Sequence, residues 1–461
     1  MKRFKSGKTA PSDNSTSLPG FKRSPFRLEG RKQLVFTGLG LLFIVVVAFI
    51  NVPYQILLLL YSIYAILLLM TYLTIWMDGA DEMKEPEAVM KKWPSVSIVI
   101  PSYNAGHTIF KCLEHIKRIR YKGRLEVIVV DDGSKDGSAE VLAKMKGIRF
   151  FPITRNVSKS TAVNYGISRA KGEIIATVDS DTYANADVLE RAIPYFEQDK
   201  KIGSIVLFIN AAHPNNLLQR LQELEYWVSF GFYFKTVDFV DGLHVTPGPM
   251  AIYRREVFDT LGGLDETNIT EDLEIGLRMR QAGWRIKACH AAVVYTEVPT
   301  NLVNLYKQRL RWFRGGIMNI LRYNHLFLNP RFGSLGMFTM PMVLTSGLFA
   351  AVFTVWTILD WARGAITAVL PAVSNITAFL PVAMRGPPPD PLMVNSVVLV
   401  AMIPVIIWCF FLYSGFRIAN ARPNVSHILP ALILLFLYPA FLGITFLAAY
   451  ASELSGRWYR W

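Results

Sequence analysis

The decisive stretch of this chain is Gly172-Glu173-Ile174-Ile175-Ala176-Thr177-Val178-Asp179-Ser180-Asp181. Ile174 to Val178 has the length and the side chains of a buried strand. It gives way to Asp179-Ser180-Asp181, two carboxylates one residue apart where a loop begins. In an open α/β sheet, ligands bind beyond the carboxyl ends of the strands. Like charges a few ångströms apart repel unless a cation sits between them, and hard divalent ions that bridge phosphate oxygens use such pairs. A polar turn capping the next helix would carry the same residues, so the pair takes its meaning from its neighbours.

On either side, short apolar runs alternate with amphipathic ones. Strands are expected at Val96–Ile100, Leu125–Val130, Ile148–Ile153, Ile174–Val178 and Gly203–Asn210. Helices are expected between them at Ala105–Ile119, Ser138–Lys146, Ser158–Ala170 and Asp187–Glu197. Pro249–Tyr253, a helix through Glu271–Gln281, and Trp284–Val294 follow. This order argues for an α/β domain over 95–300, with a mostly parallel, twisted sheet and helices on both faces.

The rest of the chain is apolar beyond what a soluble domain needs: 461 residues, 52% hydrophobic, mean hydropathy +0.30. The net charge of +14 raises nucleic acid as a partner, but no Lys/Arg stripe with interleaved aromatics and no nucleic-acid motif is present, so none is expected. Cys112, Cys289 and Cys409 are far apart, which supports neither a disulfide framework nor a zinc site.

Residues 1–32 carry nine Lys/Arg against Asp13 and Glu29 and form a basic tail expected to be disordered. Ahead of a hydrophobic run, such a tail holds the cytoplasmic side. Residues 33–76 then read as a transmembrane hairpin, Gln33–Asn51 and Pro53–Trp76, each arm about as long as the ~20 residues that cross a bilayer. A signal peptide is not expected, because the run is too long and no cleavage site stands out. A polar linker, 77–94, leads into the α/β domain.

Leu217–Phe234 and Asn301–Leu326 have the composition of helices lying at a membrane surface, the second within an interfacial region, 301–334. An ordinary domain-packing helix is the alternative for the first. Residues 335–451 hold spans at Leu335–Leu359, Leu392–Phe416 and Ile428–Ala449, before a tail at 452–461. Gly364–Met384 is long enough to cross, but Pro371, Asn375 and Pro381 favour a re-entrant or surface piece. Five spans are expected, with six the alternative.

Chemistry-bearing residues cluster at the expected strand ends. The first ends in Pro101-Ser102-Tyr103-Asn104, the second in Asp131-Asp132-Gly133-Ser134. A carboxylate there can accept from a base imide or a ribose hydroxyl, and Tyr103 can stack on a base; Asp-Gly is also ordinary turn chemistry. Thr270-Glu271-Asp272 opens a helix, where carboxylates are favourable in the first turn and also suit a general base. Gln308-Arg309-Leu310-Arg311-Trp312 places Gln308, Arg311 and Trp312 three and four apart on one helix face. Arg suits phosphate oxygens, and Trp suits a sugar ring or a membrane interface.

Together these motifs resemble the membrane-embedded, inverting family-2 glycosyltransferases of the nucleotide-binding A-type fold, the group that includes cellulose, chitin and hyaluronan synthases. The resemblance spans roughly Ser95 to Asn319 and rests on Asp132, Asp179-Ser180-Asp181, Thr270-Glu271-Asp272 and Gln308-x-x-Arg311-Trp312 in order. Pro247-Gly248-Pro249-Met250 and Thr296-Glu297-Val298-Pro299-Thr300 support it.

The resemblance implies a role for each position. Asp132 would hold the uridine, with Pro101, Tyr103 and Lys159 nearby, and Asp179 and Asp181 would hold Mn2+ or Mg2+ on the diphosphate. Asp272, beside Glu271, would take the acceptor proton. Gln308 and Arg311 would neutralise the leaving diphosphate, while Trp312, Gly248 and Pro249 would bind the acceptor. The chain departs from the family at Ser158, where Gly usually precedes the Lys, and at Asn104, where Glu is frequent.

The implied activity is transfer from a nucleotide-sugar donor, UDP-linked, to a carbohydrate or lipid acceptor at the cytoplasmic face of the cell membrane. Gln308-x-x-Arg311-Trp312 favours a growing polysaccharide with export; single-sugar transfer to a membrane lipid is the alternative. A nucleotide-binding transport or scaffold protein without turnover is the rival from another class.

Overall fold

A computed structural model of the chain describes residues 54–79, 90, 92–154, 156–347 and 396–455, with isolated positions between 352 and 362. Among the described residues there are eight strands: β1 (Val96–Ser102), β2 (Leu125–Asp131), β3 (Arg149–Pro152), β4 (Ile174–Val178), β5 (Thr182–Ala184), β6 (Ile202–Ala211), β7 (Met250–Arg254) and β8 (Arg285–Thr296). They form one sheet in the order β3-β2-β1-β4-β7-β6-β8-β5. β1 pairs in parallel with β2 and β4, β2 with β3, and β6 with β8. β7 runs antiparallel between β4 and β6, and β5 is antiparallel to β8. Six strands thus point one way, and only β5 and β7 reverse. The sheet is mostly parallel, as expected, with two reversed strands.

Alternation along β1 shows why these runs become strands. Ile98 and Ile100 are buried on one face with Ile109, Leu113 and Ile116 of the Ile109–Lys117 helix. Val99, between them, is buried on the other face with Val163 and Ile167 of the Lys159–Arg169 helix and Ile275 of the Glu271–Gln281 helix. A central strand covered on both faces reads as a continuous apolar run. Each such side chain contributes about 1.5–3 kcal/mol when fully buried.

Several expectations are corrected. Asp187–Glu197 is two short helices, Val188–Ala192 and Tyr195–Gln198, separated at Pro194, because proline supplies no N–H to an advancing helix. Leu217–Phe234 is a helix, Leu217–Tyr226, that widens into a π turn over Trp227–Tyr233. Its Leu221, Leu224, Trp227 and Phe232 are buried, and Gly231 lies against the backbone of Gly415 in the Ser396–Ile418 helix. The stretch packs through these residues against the rest of the molecule.

The Ile428–Ala449 segment is a pair, Val425–Phe436 and Tyr438–Leu454, bent by 48°. Pro439 sits in the first turn after the break. Among the described residues no single helix is long and apolar enough to cross a membrane, whereas that bent pair is when taken together. The Tyr54–Gly79 helix holds a shorter apolar run, Leu59–Ile75. Its Tyr72 is buried among the rings of Phe232, Tyr233, Phe338 and Phe411. Residues 1–32, Gln33–Asn51, Gly364–Met384 and most of the 77–94 linker lie outside the described residues.

Candidate active site

β4 ends where the site begins. The Asp179 N–H donates to the Pro249 carbonyl (2.9 Å), and its own carbonyl accepts from Thr182 N–H (3.0 Å). That turn leads into β5, whose Thr182 faces Thr296 of β8. Pinned at both ends, Asp179 and Asp181 cannot relax apart by loop motion alone.

Lys159 opens the Lys159–Arg169 helix. Ser158 caps it, its side chain accepting from Thr161 N–H at 3.1 Å. A glycine at 158, as the resemblance has it, would forgo that cap. The cap aims Lys159 across the strand ends, with Nζ 2.6 Å from Asp179 Oδ1 and 3.4 Å from Glu271 Oε1. Burial alone would lower the ammonium's pKa, but Asp179 and Glu271 outweigh it and hold it raised. Lys159 is thus a bridge between two carboxylates.

Glu271 and Asp272 form the first turn of the Glu271–Gln281 helix. Asp272 Oδ1 accepts from Leu273 N–H (2.9 Å) and Oδ2 from Gly248 N–H (3.3 Å). Thr246 donates through both N–H and hydroxyl to the Asp272 carbonyl. Burial, with the neighbouring Glu271 charge next, pushes the Asp272 carboxyl up to about 6, although Lys159 and Arg311 pull it down. Thr270 does not cap this helix with its side chain. Its hydroxyl instead meets Asn268 Oδ1 (3.4 Å) and the Asn319 amide (3.1 Å).

Gly248 shows how tightly these parts meet. A Cβ placed there would stand 3.2 Å from Lys159 Nζ, 3.4 Å from Asp179 Oδ2 and 3.8 Å from Asp272 Oδ2. Pro101, Lys159, Asp179, Gly248, Glu271 and Asp272 line one cleft. Pro249 borders it through the carbonyl that holds Asp179. Arg311 joins electrostatically, its charge bearing on Lys159, Asp179 and Asp272.

Asp181 Oδ1 lies 3.5 Å from the Thr182 and Thr296 hydroxyls. Its carboxyl is pushed up to about 6 by burial first and by Asp179 second. Burial likewise raises Asp179, against the pull of Lys159. Among the described residues no cluster of three or more His, Cys, Asp or Glu is arranged to hold a metal. Two adjacent hard carboxylates nonetheless fit an ion of the Mg2+ or Mn2+ type, which takes one or two carboxylates and completes its shell with water and substrate phosphate.

At the β1 and β2 ends, Asp132 is 3% exposed, and its Oδ1 accepts from Val157 N–H at 2.9 Å. Burial pushes it up to about 6, with Asp131 adding to the rise. Asp131 builds the turn, its Oδ2 accepting from Gly133 and Ser134 N–H. Its Oδ1 and the Ser102 hydroxyl are buried without hydrogen-bond partners. Asp131 was not singled out by sequence; its signal was the first carboxylate of Asp-Asp-Gly-Ser. Tyr103 is 47% exposed. Asn104 has φ 49°, accepts from Lys135 N–H and donates its own N–H to Ser134. Asn tolerates that left-handed geometry better than Glu does.

The Leu302–Arg322 helix carries the last motif. Gln308 and Trp312 turn toward Arg309: Gln308 Oε1 accepts from the Arg309 guanidinium at 2.6 Å, and the Trp312 ring lies 4.1 Å from its Cζ. Sequence assigned no role to Arg309.

Residues 97–262 match the model of the family described as Glycosyl transferase family 2. A poly-beta-1,6-N-acetyl-D-glucosamine synthase of Staphylococcus aureus is 27% identical over 242 residues, 52% of this chain and 58% of that one. The synthase of the same name from Staphylococcus epidermidis is 26% identical over 230 residues, 49% of this chain and 56% of that one. The chain thus spans a little over half the length of these relatives. Among solved structures, a Pyrobaculum calidifontis mannosyltransferase in complex with GDP-Man and Mn2+ aligns over 79% of this chain and 99% of that one, with 17% identity and a TM-score of 0.48. The match to the glycosyltransferase family 2 model runs from β1 through β7 and takes in Asp131, Asp132, Asp179 and Asp181 at the strand ends.

Proposed function

We propose that this chain is an inverting, membrane-held glycosyltransferase that moves a sugar from a UDP-linked donor to a growing polysaccharide, by repeated β-transfer at the cytoplasmic face. The observation that carries the proposal is the meeting of Asp272 with Gly248, Asp179 and Lys159 in one cleft, within reach of the Arg311 charge. The apolar runs beside a basic 1–32 segment support the membrane setting. The curated relatives support a polysaccharide product, and UDP-N-acetylglucosamine is the first donor to test.

The chemistry is a single displacement. The Asp272 carboxylate accepts the proton of an acceptor hydroxyl, whose oxygen attacks the anomeric carbon as the bond to the diphosphate breaks. One in-line displacement inverts the anomeric centre. Arg311 offsets the charge that builds on the leaving nucleoside diphosphate. An Mn2+ or Mg2+ ion held by Asp179 and Asp181 would supply further charge neutralisation there. Asp132 and Tyr103, at the neighbouring strand ends, receive the nucleoside, while Trp312, Gly248 and Pro249 bound the acceptor side.

The test offers membranes holding the chain a panel of labelled nucleotide sugars with Mn2+ and sizes the product. High-molecular-weight product that disappears in Asp272→Asn is expected. Organic-extractable product would replace the polymer reading with transfer to a lipid. UDP binding with no sugar consumed would overturn the enzyme reading.

A further inference from the structure

Arg309 is among the largest fully enclosed side chains of the described residues, 2% exposed. Its guanidinium closes a ring of hydrogen bonds: Nε donates to the Tyr438 hydroxyl (3.0 Å), Nη2 to Glu225 Oε2 (2.5 Å), and the Tyr438 hydroxyl to the same Glu225 oxygen (3.0 Å). Nη1 donates to Gln308 Oε1 (2.6 Å), and one flat face carries the Trp312 ring (4.1 Å). Three elements converge there: Leu217–Tyr226 brings Glu225, Leu302–Arg322 brings Arg309, and Tyr438 begins the Tyr438–Leu454 helix at the 48° bend.

Packing does not explain this choice of residue. Replacing a buried ion pair by apolar side chains of similar volume is often neutral or stabilising, so such a pair is weak evidence of stabilisation. What an apolar residue could not do is hold an amide in plane and a ring against its face at once. Gln308 and Trp312 are the two side chains so held, and the charge of Arg311, between them in sequence, bears on Asp272.

We propose that Arg309 is a positioning residue of the acceptor subsite. It sets the Trp312 ring and the Gln308 amide relative to the Asp272 cleft, and it is itself held by Glu225 and by Tyr438 at the bend of the C-terminal helix pair. This rests on the reading of Trp312 as the acceptor platform.

The test uses the full chain in membranes or detergent, with Arg309→Lys and the double variant Arg309→Met with Glu225→Gln, which leaves no buried charge unpaired. Half-saturation by a β-linked N-acetylglucosamine oligomer rises about tenfold in both, while that for the nucleotide sugar stays within about twofold. Acrylamide quenching of Trp312, obtained as the difference from a Trp312→Phe reference, increases. Arg309→Lys, which keeps a charge beside Glu225, decides the matter where the double variant does not fold. Unchanged oligomer half-saturation and unchanged Trp312 quenching overturn the proposal. So does a parallel loss of oligomer and donor affinity, the mark of a merely structural arginine. Quenching needs no turnover, so absence of transfer by the parent chain would sink the proposed function while leaving Arg309's hold on Trp312 measurable.

Discussion

Two adjacent glycines on the Leu302–Arg322 helix make a matched pair of perturbations. Gly315 lies against Thr270, the residue before Glu271-Asp272, and a Cβ there would stand 2.7 Å from the Thr270 Cβ, with other Thr270 atoms nearer still. Carbon atoms not bonded to each other settle at about 3.5–4.0 Å, so the helix and the Thr270 turn must part by about 1 Å. Gly316, one residue on, has nothing within 4 Å of such a Cβ. Each substitution gains about 0.5–1 kcal/mol by removing glycine from a helix interior. Gly315→Ala also incurs an overpacking cost of about 1–3 kcal/mol, which leaves it destabilised by about 0–2.5 kcal/mol. The effect on rate is larger, because a displacement of about 1 Å at a reacting centre costs on the order of 10²-fold. Stability by chemical denaturation and turnover at saturating donor, measured for both variants, separate the two effects. Gly316→Ala is expected to be at least as stable as the parent and equally active; Gly315→Ala is expected to be nearly as stable and about a hundredfold slower. Equal turnover in the two would refute the claim that this helix sets the position of Asp272.

Asp272→Asn keeps UDP binding and lowers transfer by about 10²–10⁴-fold, read by single-turnover assay; near-normal turnover removes Asp272 from its role. Because the Asp272 carboxyl is raised to about 6 and only its ionised form accepts a proton, transfer falls as pH drops through about 6, roughly tenfold per unit below it. A rate flat from pH 7 to 5 contradicts this assignment. Tyr323→Phe removes the hydroxyl that donates to Glu274 Oε1 at 2.7 Å, where Glu274 is fully enclosed. It lowers stability by about 1–3 kcal/mol, seen as a lower denaturation midpoint, and an unchanged midpoint would deny that bond any net worth.

What was legible in the sequence was what neighbours along the chain decide. β4 and the Glu271–Gln281 helix fall where an apolar run and a first-turn acid cluster put them. The breaks at Pro194 and before Pro439 carried a local signal as well, the proline itself, which the reading did not use. β5 is only three residues long and becomes a strand by pairing with β8 more than a hundred residues away. The reversed direction of β7 leaves no trace in composition, because alternation has the same period whichever way a strand runs.

The same division holds at the site. Carboxylates at strand ends and the Gln308-to-Trp312 spacing are local patterns, but their partners are not. Lys159 reaches Asp179 twenty residues on and Glu271 still further along, Gly315 touches Thr270, and Arg309 answers Glu225 and Tyr438. The resulting charge balance bears on the proposed reaction. Asp179, Asp181, Glu271 and Asp272 face Lys159 and Arg311, so carboxylates outnumber cations, and burial raises the pKa of Asp179, Asp181 and Asp272. A diphosphate entering alone would deepen that excess of negative charge. One entering with a divalent cation would relieve it. In the proposed scheme, therefore, the donor favours this cleft as its metal complex, and Lys159 holds Asp179 and Glu271 together until that complex arrives.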